Sequence, residues 1–137
     1  MSMHERTGKR DLTYSAWHRP ESLKHYLGNY QAQHLHMIDI DWCEYCPRCY
    51  MPLALIETQH GDRPPKRAYV TERLAQLLGI PIWSVSYITD ISGAITQFRR
   101  QILWPRAPEE RVTPAVYARW LADLRTGHIC LHRRRPE

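Results

Sequence analysis

Two stretches of the chain, residues 35–44 and 52–59, are strongly apolar and yet carry polar groups at alternate positions. A β-strand directs alternate side chains to the same face, so the polar groups of each stretch should share a face. An unpaired charge on a half-buried strand is costly, which indicates that these groups bind a common partner. The four polar residues are Asp39, Asp41, Glu57 and Gln59.

The segment between the two stretches predicts a hairpin. A turn centred near Cys49 places Asp41 opposite Glu57, and the same register places Asp39 opposite Gln59. A shift by two residues keeps all four on one face, whereas a shift by one separates them. Opposed residues have Cβ atoms about 5 Å apart, close enough to bind one divalent cation such as Mg2+ or Mn2+. The alternative is solvated acids on edge strands, but the isoleucines and leucines on both faces favour a sheet buried on both sides.

Helical and strand patterns alternate further along the chain. A leucine-rich helix is expected from a cap at Thr71 to a stop at Gly79, and a strand follows at residues 82–88. The last helix is capped by Thr113 and ends at Gly127. Weaker patterns predict a turn, a short helix, a loop and another strand, in that order, at residues 14–20, 23–27, 61–65 and 94–103.

This order of elements predicts an α/β (α+β) fold. A strand–helix–strand crossover needs a parallel pair of strands, so we expect a mixed sheet with the acidic hairpin at its centre and helices on its flanks. Residues 13–127 should form one domain, with the hairpin tip at residues 43–49. A disordered arm at residues 1–12 should precede it, and a basic tail at residues 128–137 should follow.

Composition narrows the class of protein. The chain has 137 residues and a formal net charge of +5, which favours an anionic partner such as nucleic acid. No apolar run approaches the roughly 20 residues that span a bilayer, and the N-terminus lacks a signal-peptide core, so we expect no membrane partner and a cytoplasmic location. In a reducing compartment the four cysteines should be free thiols or metal ligands.

The predicted hairpin tip contains Cys46-Pro-Arg-Cys49, which is typical of a zinc knuckle. Cys43 lies on the same strand face as Asp41 and is a candidate third ligand. A tetrahedral site needs four ligands, and the chain offers further candidates near its C-terminus. Those candidates are His128, Cys130 and His132. The alternative is that all of these residues are free cysteines and ordinary polar residues of the tail.

The order of elements, with an acid on one strand and Glu-x-Gln on its hairpin partner, resembles the PD-(D/E)XK nuclease superfamily, which has the restriction-endonuclease-like fold. The resemblance extends from about Tyr14 to Pro105. It is closer still to small phage and bacterial proteins of that superfamily. The motifs that carry the closer resemblance are residues 14–19, 38–44, 54–57 and 79–81.

The resemblance implies a metal-dependent nuclease, acting on DNA through a water activated by Mg2+ or Mn2+. Asp41 and Glu57 would be the metal ligands, and Asp39 would be an additional acid. Gln59 occupies the position at which the superfamily usually has a lysine. Glutamine can orient a water, but it cannot carry positive charge. The alternative is therefore a weak or inactive nuclease-fold module that binds nucleic acid or a protein partner and contains structural zinc.

Three cationic or titratable residues are candidates for nucleic-acid contacts. Lys66 and Arg67, in the loop before the leucine-rich helix, could replace the missing lysine or could be solvated loop charges. His18 could contact a phosphate. The resemblance also implies a homodimer or a larger complex, in the host cytoplasm if a phage encodes the protein.

Overall fold

The computed structural model describes residues 12–130, which form two compact units, residues 12–39 and residues 40–130. The predicted N-terminal arm, except for Leu12, lies outside the described residues. Most of the predicted C-terminal tail, including His132, lies outside them as well.

The first unit contains three short helices, α1 (Thr13–Trp17), α2 (Pro20–Leu27) and α3 (Asn29–Gln33). The short helix predicted at residues 23–27 is confirmed, but it begins earlier because a proline favours the first helical position. The turn predicted before it is largely helical. Leu23 and Ala32 are the buried apolar residues of this unit.

The second unit is built on a five-stranded mixed sheet in the order β1-β2-β3-β4-β5. The β2–β3 pair is parallel and the other pairs are antiparallel, which confirms the predicted mixed sheet. The strands are β1 (Trp42–Tyr45), β2 (Pro52–His60), β3 (Ile82–Thr89), β4 (Ile95–Trp104) and β5 (Glu110–Val112). Helices α4 (Tyr69–Leu78) and α5 (Pro114–Thr126) complete the unit. The sequence pattern did not predict β5.

The hairpin has the predicted register. Trp42 pairs with Ile56 and Cys43 pairs with Leu55, so the same register continued by one residue brings Asp41 opposite Glu57. Two parts of the prediction are wrong. The first strand is shorter than residues 35–44, because it begins only at Trp42. The hairpin also lies at an edge of the sheet and not at its centre, because helix α4 places β3 beside β2 and the later strands extend the sheet away from β1.

Both faces of β2 are covered, as the apolar pattern predicted. The same prediction is wrong for the first stretch, where Ile38 and Ile40 are exposed because β1 is a short edge strand. Alternation along β2 sends Leu55 to the face covered by α4 and Ile56 to the face covered by α5. The buried residues of the α4 face are Leu55, Ala75, Ile82 and Leu103. Those of the α5 face are Ile56, Val85 and Tyr117.

The starts of the two long helices differ in how well the sequence predicts them. Helix α5 has the predicted cap, since the Thr113 side chain accepts a hydrogen bond from the Val116 backbone at 3.2 Å. Helix α4 begins two residues before the predicted cap, Thr71. The backbone N–H of Ala68 donates instead to the carboxylate of Glu72, at 3.0 Å, so a residue of the first turn satisfies the helix start. Among the described helices none combines the length and the apolar character needed to cross a bilayer.

Candidate acidic site and candidate metal centre

Asp41 is fixed at the point where the β1–β2 ladder ends. Its Oδ2 accepts a hydrogen bond from the Thr58 backbone N–H at 2.9 Å and another from the Thr58 hydroxyl at 3.3 Å. Because β1 begins only at Trp42, the Asp41 carboxylate supplies the acceptor that the Thr58 N–H would otherwise find in the backbone of a longer β1. This contact holds the Asp41 carboxylate against β2.

Glu57 lies on the α4 face of β2 and is half-buried. The Thr71 hydroxyl of α4 donates a hydrogen bond to its Oε1 at 3.0 Å. Burial raises the pKa of Glu57, and the charge of Asp41 and a hydrogen bond with its side chain raise it further. Hydrogen bonds from Thr71 and from the Asp41 backbone act in the opposite direction on this pKa. The register that brings Asp41 opposite Glu57 therefore adds a like charge to the effect of burial, and a bound cation would relieve both.

The polar row continues across the sheet on the same face. Ser84 of β3 pairs with Glu57, and Ser86 of β3 pairs with Gln59. Both serines are buried, and both take part in hydrogen bonds with the loop between β2 and α4. The acidic pair is thus one end of a row of polar side chains, and the loop of residues 61–68 packs over the serine end of this row.

Gln59 serves that loop directly. Its Nε2 donates to the Pro64 carbonyl at 2.7 Å and to the Ser86 hydroxyl at 2.9 Å. The Ser86 hydroxyl in turn donates to the Arg63 carbonyl at 2.9 Å. The side-chain N–H groups of Gln59 therefore have structural partners, and its predicted role in positioning a water falls to its carbonyl oxygen alone.

The two predicted loop cations have different surroundings. The Arg67 guanidinium donates two hydrogen bonds to Glu72, at 2.9 and 2.8 Å, and lies over the ring of Tyr69. Lys66 is exposed, and its backbone N–H donates to Ser84 at 3.1 Å. Because Ser84 pairs with Glu57, Lys66 is anchored beside the acidic pair, whereas the Arg67 charge is already neutralised.

Two predicted site residues belong to the first unit. His18 lies near the ring of Tyr14, with 6.1 Å between ring centroids. Asp39 is the last residue of that unit and is exposed. The acidic site of the second unit contains the two carboxylates of Asp41 and Glu57.

A second cluster lies at the hairpin tip. One ligand atom from each of four residues lies within 4.8 Å of the others, and such a group could bind a metal such as zinc. Ideal tetrahedral Zn–S distances place sulfur atoms about 3.8 Å apart, which this spacing permits. The Cys49 Sγ is 3.3 Å from His128 Nε2, although 79 residues separate the two in sequence. The four residues are Cys46, Cys49, His128 and Cys130.

The turn that holds the first two ligands is tightly hydrogen-bonded. The backbone N–H of Tyr50 donates to the Cys46 carbonyl at 2.7 Å, and the Cys46 N–H donates to the Met51 carbonyl at 2.9 Å. Tyr50 has a φ of 62°, a left-handed conformation that a non-glycine residue adopts at a cost. The hydrogen bonds on either side of Cys46 hold Tyr50 in this conformation, where the chain turns back into β2.

The environment of Cys46 favours its thiolate. Hydrogen bonds from the backbone of Cys49 and Arg48 lower the pKa of Cys46 to about 7, against the opposing effect of burial. Burial raises the pKa of Cys130, and its hydrogen bonds with Cys49 and Cys46 raise it further. Thiolates are the form that binds zinc, so a metal ion would replace the protons shared within this cluster.

Three of the four predicted cysteine ligands, Cys46, Cys49 and Cys130, are in the cluster. Cys43 is not. It lies on exposed β1, and its Sγ is 3.7 Å from the Glu44 carbonyl, because strand alternation directs it to the α4 face away from the tip. His128 takes the fourth position.

Three residues that support the acidic site were not predicted from the sequence. Thr58, Thr71 and Ser84 hold Asp41, Glu57 and the loop, respectively. Ser84 could have been predicted, because Ser84 and Ser86 are two residues apart in an otherwise apolar strand and so share one face. The two threonines had no comparable signal, since threonine is common on strands and in helix starts.

Comparisons of the chain with models of protein families, with curated proteins and with solved structures find no match.

Proposed function

We propose that the second unit is a metal-dependent nuclease that hydrolyses phosphodiester bonds, with DNA as its substrate. The observation that carries the proposal is the β1–β2 register, which, continued by one residue, brings Asp41 opposite the half-buried Glu57. The order of hairpin, helix α4 and parallel strand β3 supports it, because the same order accompanies the acidic motif in the PD-(D/E)XK superfamily that the sequence resembles.

In this proposal Asp41 and Glu57 hold one Mg2+ or Mn2+ ion. The bound ion would polarise a phosphate oxygen and lower the pKa of a water molecule. The Thr58 and Thr71 hydrogen bonds fix one oxygen of each carboxylate, and the other oxygens would be the ones to hold the ion. Carboxylate oxygens are ligands that Mg2+ prefers. Sites that bind Mg2+ together with a substrate phosphate commonly have one or two protein carboxylates.

Positive charge near the site would come from Lys66 and not from position 59. Gln59 carries no charge, and its side-chain amide anchors the loop. The backbone of Lys66 is held by Ser84, which pairs with Glu57, and its side chain is exposed. Its ammonium group would stabilise charge that develops on the phosphate.

A plasmid-nicking assay tests the nuclease proposal. We expect Mg2+- or Mn2+-dependent cleavage by the wild type and its loss in Asp41→Ala and Glu57→Ala. Glu44→Gln is the matched control, because Glu44 lies on the same hairpin but pairs with Ala54 on the opposite face of the sheet. Cleavage that survives in Glu57→Ala would contradict the proposal.

A second candidate is a module of this fold that binds nucleic acid without cutting it. The engagement of the Gln59 amide N–H groups by the loop and of Arg67 by Glu72 favours this candidate, since neither side chain supplies a free donor or a free positive charge. The outcome that supports it is tight DNA binding by folded wild-type protein, with no cleavage under any divalent metal and unchanged binding in Asp41→Ala.

We propose further that the cysteine–histidine cluster binds Zn2+ as a structural ion. Three thiolates and one imidazole are a common donor set for closed zinc sites. Metal analysis of purified protein should find one zinc per chain in the wild type and in Cys43→Ser. The Cys46→Ser and His128→Ala variants should lose it. Zinc content near zero in the wild type would contradict the proposal.

A further inference from the structure

Strand β1 is short and weakly attached. It has four residues and lies at the edge of the sheet, and Trp42 remains 49% exposed. Its register with β2 shifts between Glu44 and Tyr45, which interrupts the ladder before the hairpin tip. A strand of this length with one neighbour is among the first elements to open in local unfolding.

The two ends of β1 are attached by different groups. At its start, the Asp41 carboxylate accepts the hydrogen bond from the Thr58 backbone N–H. Just past its end lies Cys46, a member of the cysteine–histidine cluster. A four-residue strand is too short for one end to move freely while the other stays in register.

The cysteine–histidine cluster connects the C-terminal end of β1 to the segment that follows helix α5. His128 and Cys130 follow helix α5, whose Tyr117 is buried against the sheet. Helix α5 is therefore a fixed support, and the hairpin tip is the part that a metal bond would hold in place. Loss of the metal would release the tip and leave β1 with its few ladder hydrogen bonds.

We propose that the metal ion in the cysteine–histidine cluster keeps β1 in register and so holds Asp41 beside Glu57. The metal centre then controls the acidic site from the opposite end of a four-residue strand. The inference rests on the proposed zinc occupancy, and it deepens the proposed nuclease function by naming a condition under which the acidic pair is assembled.

Amide hydrogen exchange of the zinc-loaded and zinc-free protein tests the coupling without any cleavage assay. The Thr58 N–H reports on β1 because its acceptor is Asp41, whereas the Leu55 N–H reports on the sheet because its acceptor is the Pro81 carbonyl. Removal of zinc should accelerate exchange at Thr58 at least tenfold and leave Leu55 within twofold. Cys130→Ser, which alters the cluster without changing the hairpin sequence, should reproduce this effect. Cys43→Ser should match the wild type.

Two outcomes would overturn the coupling. One is unchanged Thr58 exchange in zinc-free protein that remains folded. The other is equal acceleration at Thr58 and Leu55 in both the zinc-free protein and Cys130→Ser, because the metal would then support the whole unit and not β1 in particular. Absence of DNA cleavage would defeat the nuclease proposal alone, since a selective change at Thr58 would still establish the coupling.

Discussion

The Thr71 hydroxyl donates a 3.0 Å hydrogen bond to the carboxylate of Glu57, and it thereby joins helix α4 to the acidic pair. Thr71 is buried, so its hydroxyl cannot easily exchange this partner for water. The bond favours the charged form of Glu57 and partly offsets burial and the charge of Asp41, which raise the pKa of Glu57.

Replacement of Thr71 by valine should therefore raise the pKa of Glu57 further, because valine has a similar shape but no hydroxyl. Loss of a buried hydrogen bond should also lower the free energy of unfolding by about 1–2 kcal/mol. Carbon-13 NMR titration of the Glu57 carboxyl measures the first effect, and urea unfolding measures the second. Thr126→Val is the control, since Thr126 is exposed at the end of α5. An unchanged or lower Glu57 pKa in Thr71→Val would contradict this assignment.

Glu57 also makes the stability of the metal-free protein depend on pH. Its pKa is raised in the folded state, so the folded protein holds this proton more tightly than the unfolded chain does. The resulting stabilisation is present below the ordinary glutamate pKa of about 4.3 and is lost as the pH rises through the folded value. Glu57→Gln removes the ionisation and should become more stable, relative to wild type, as the pH rises from 4 to 7.

Urea unfolding of the zinc-loaded protein without Mg2+, at pH 4 and at pH 7, measures this difference. Glu21→Gln controls for a generic change of charge, because Glu21 is exposed in the first unit. A difference between Glu57→Gln and wild type that shrinks toward pH 7 would show that Glu57 is not destabilised by burial and by Asp41.

The hairpin register was predictable from sequence because two alternating patterns on either side of a short turn admit few pairings. A shift by one residue would have moved Glu57 to the α5 face and Ile56 to the polar one. The parallel β2–β3 pair was predictable for a similar reason, since a helix lies between the two strands. In both cases the determining interactions lie between segments that are near each other in the sequence.

The parts that were not predicted depend on contacts that a local pattern does not contain. The alternation around Asp39 and Asp41 is typical of a strand throughout, but β1 begins only at Trp42, where the ladder with β2 starts. Helix α4 begins before Thr71 because the Glu72 carboxylate satisfies its first turn. His128 reaches Cys49 from 79 residues away, and spacing alone could not distinguish it from its neighbours in the tail.

The Glu72 carboxylate should stabilise the protein more as the pH rises, whereas Glu57 should stabilise it less. Burial alone would raise the pKa of Glu72, but hydrogen bonds from Arg67 and from the Ala68 backbone, together with the charges of Arg67 and Arg106, hold it below the usual value. A lowered pKa stabilises the protein above the ordinary glutamate pKa, and the contribution is lost as the pH falls through the folded value.

Glu72→Gln should therefore destabilise the protein at pH 7 by about 1–2 kcal/mol, a modest figure because Arg67 is half-exposed and water screens the pair. The cost should be smaller near pH 3. Thermal unfolding at the two pH values measures it, again with Glu21→Gln as the control. An equal cost at both values would mean that packing, and not the charge of Glu72, supports the start of α4.

The side-chain amide of Gln59 holds the loop of residues 61–68 against the sheet. Gln59→Leu keeps the approximate size of the side chain and removes both donated hydrogen bonds. Water can replace the amide at the exposed Pro64 carbonyl, whereas the buried Ser86 hydroxyl loses a partner, so the protein should be less stable by about 1 kcal/mol.

Because the loop contains three basic residues, trypsin measures its release. Trypsin does not cut the Arg63–Pro64 bond, so the report comes from Lys66 and Arg67. Cleavage after these two residues should be at least several-fold faster in Gln59→Leu than in wild type under native conditions. Gln76→Leu is the control, since Gln76 is exposed on α4, where substitutions have small effects. If both variants are cleaved at the wild-type rate, the loop is held by its other contacts. Gln59 would then be free for the water-positioning role that the nuclease resemblance assigns to its position.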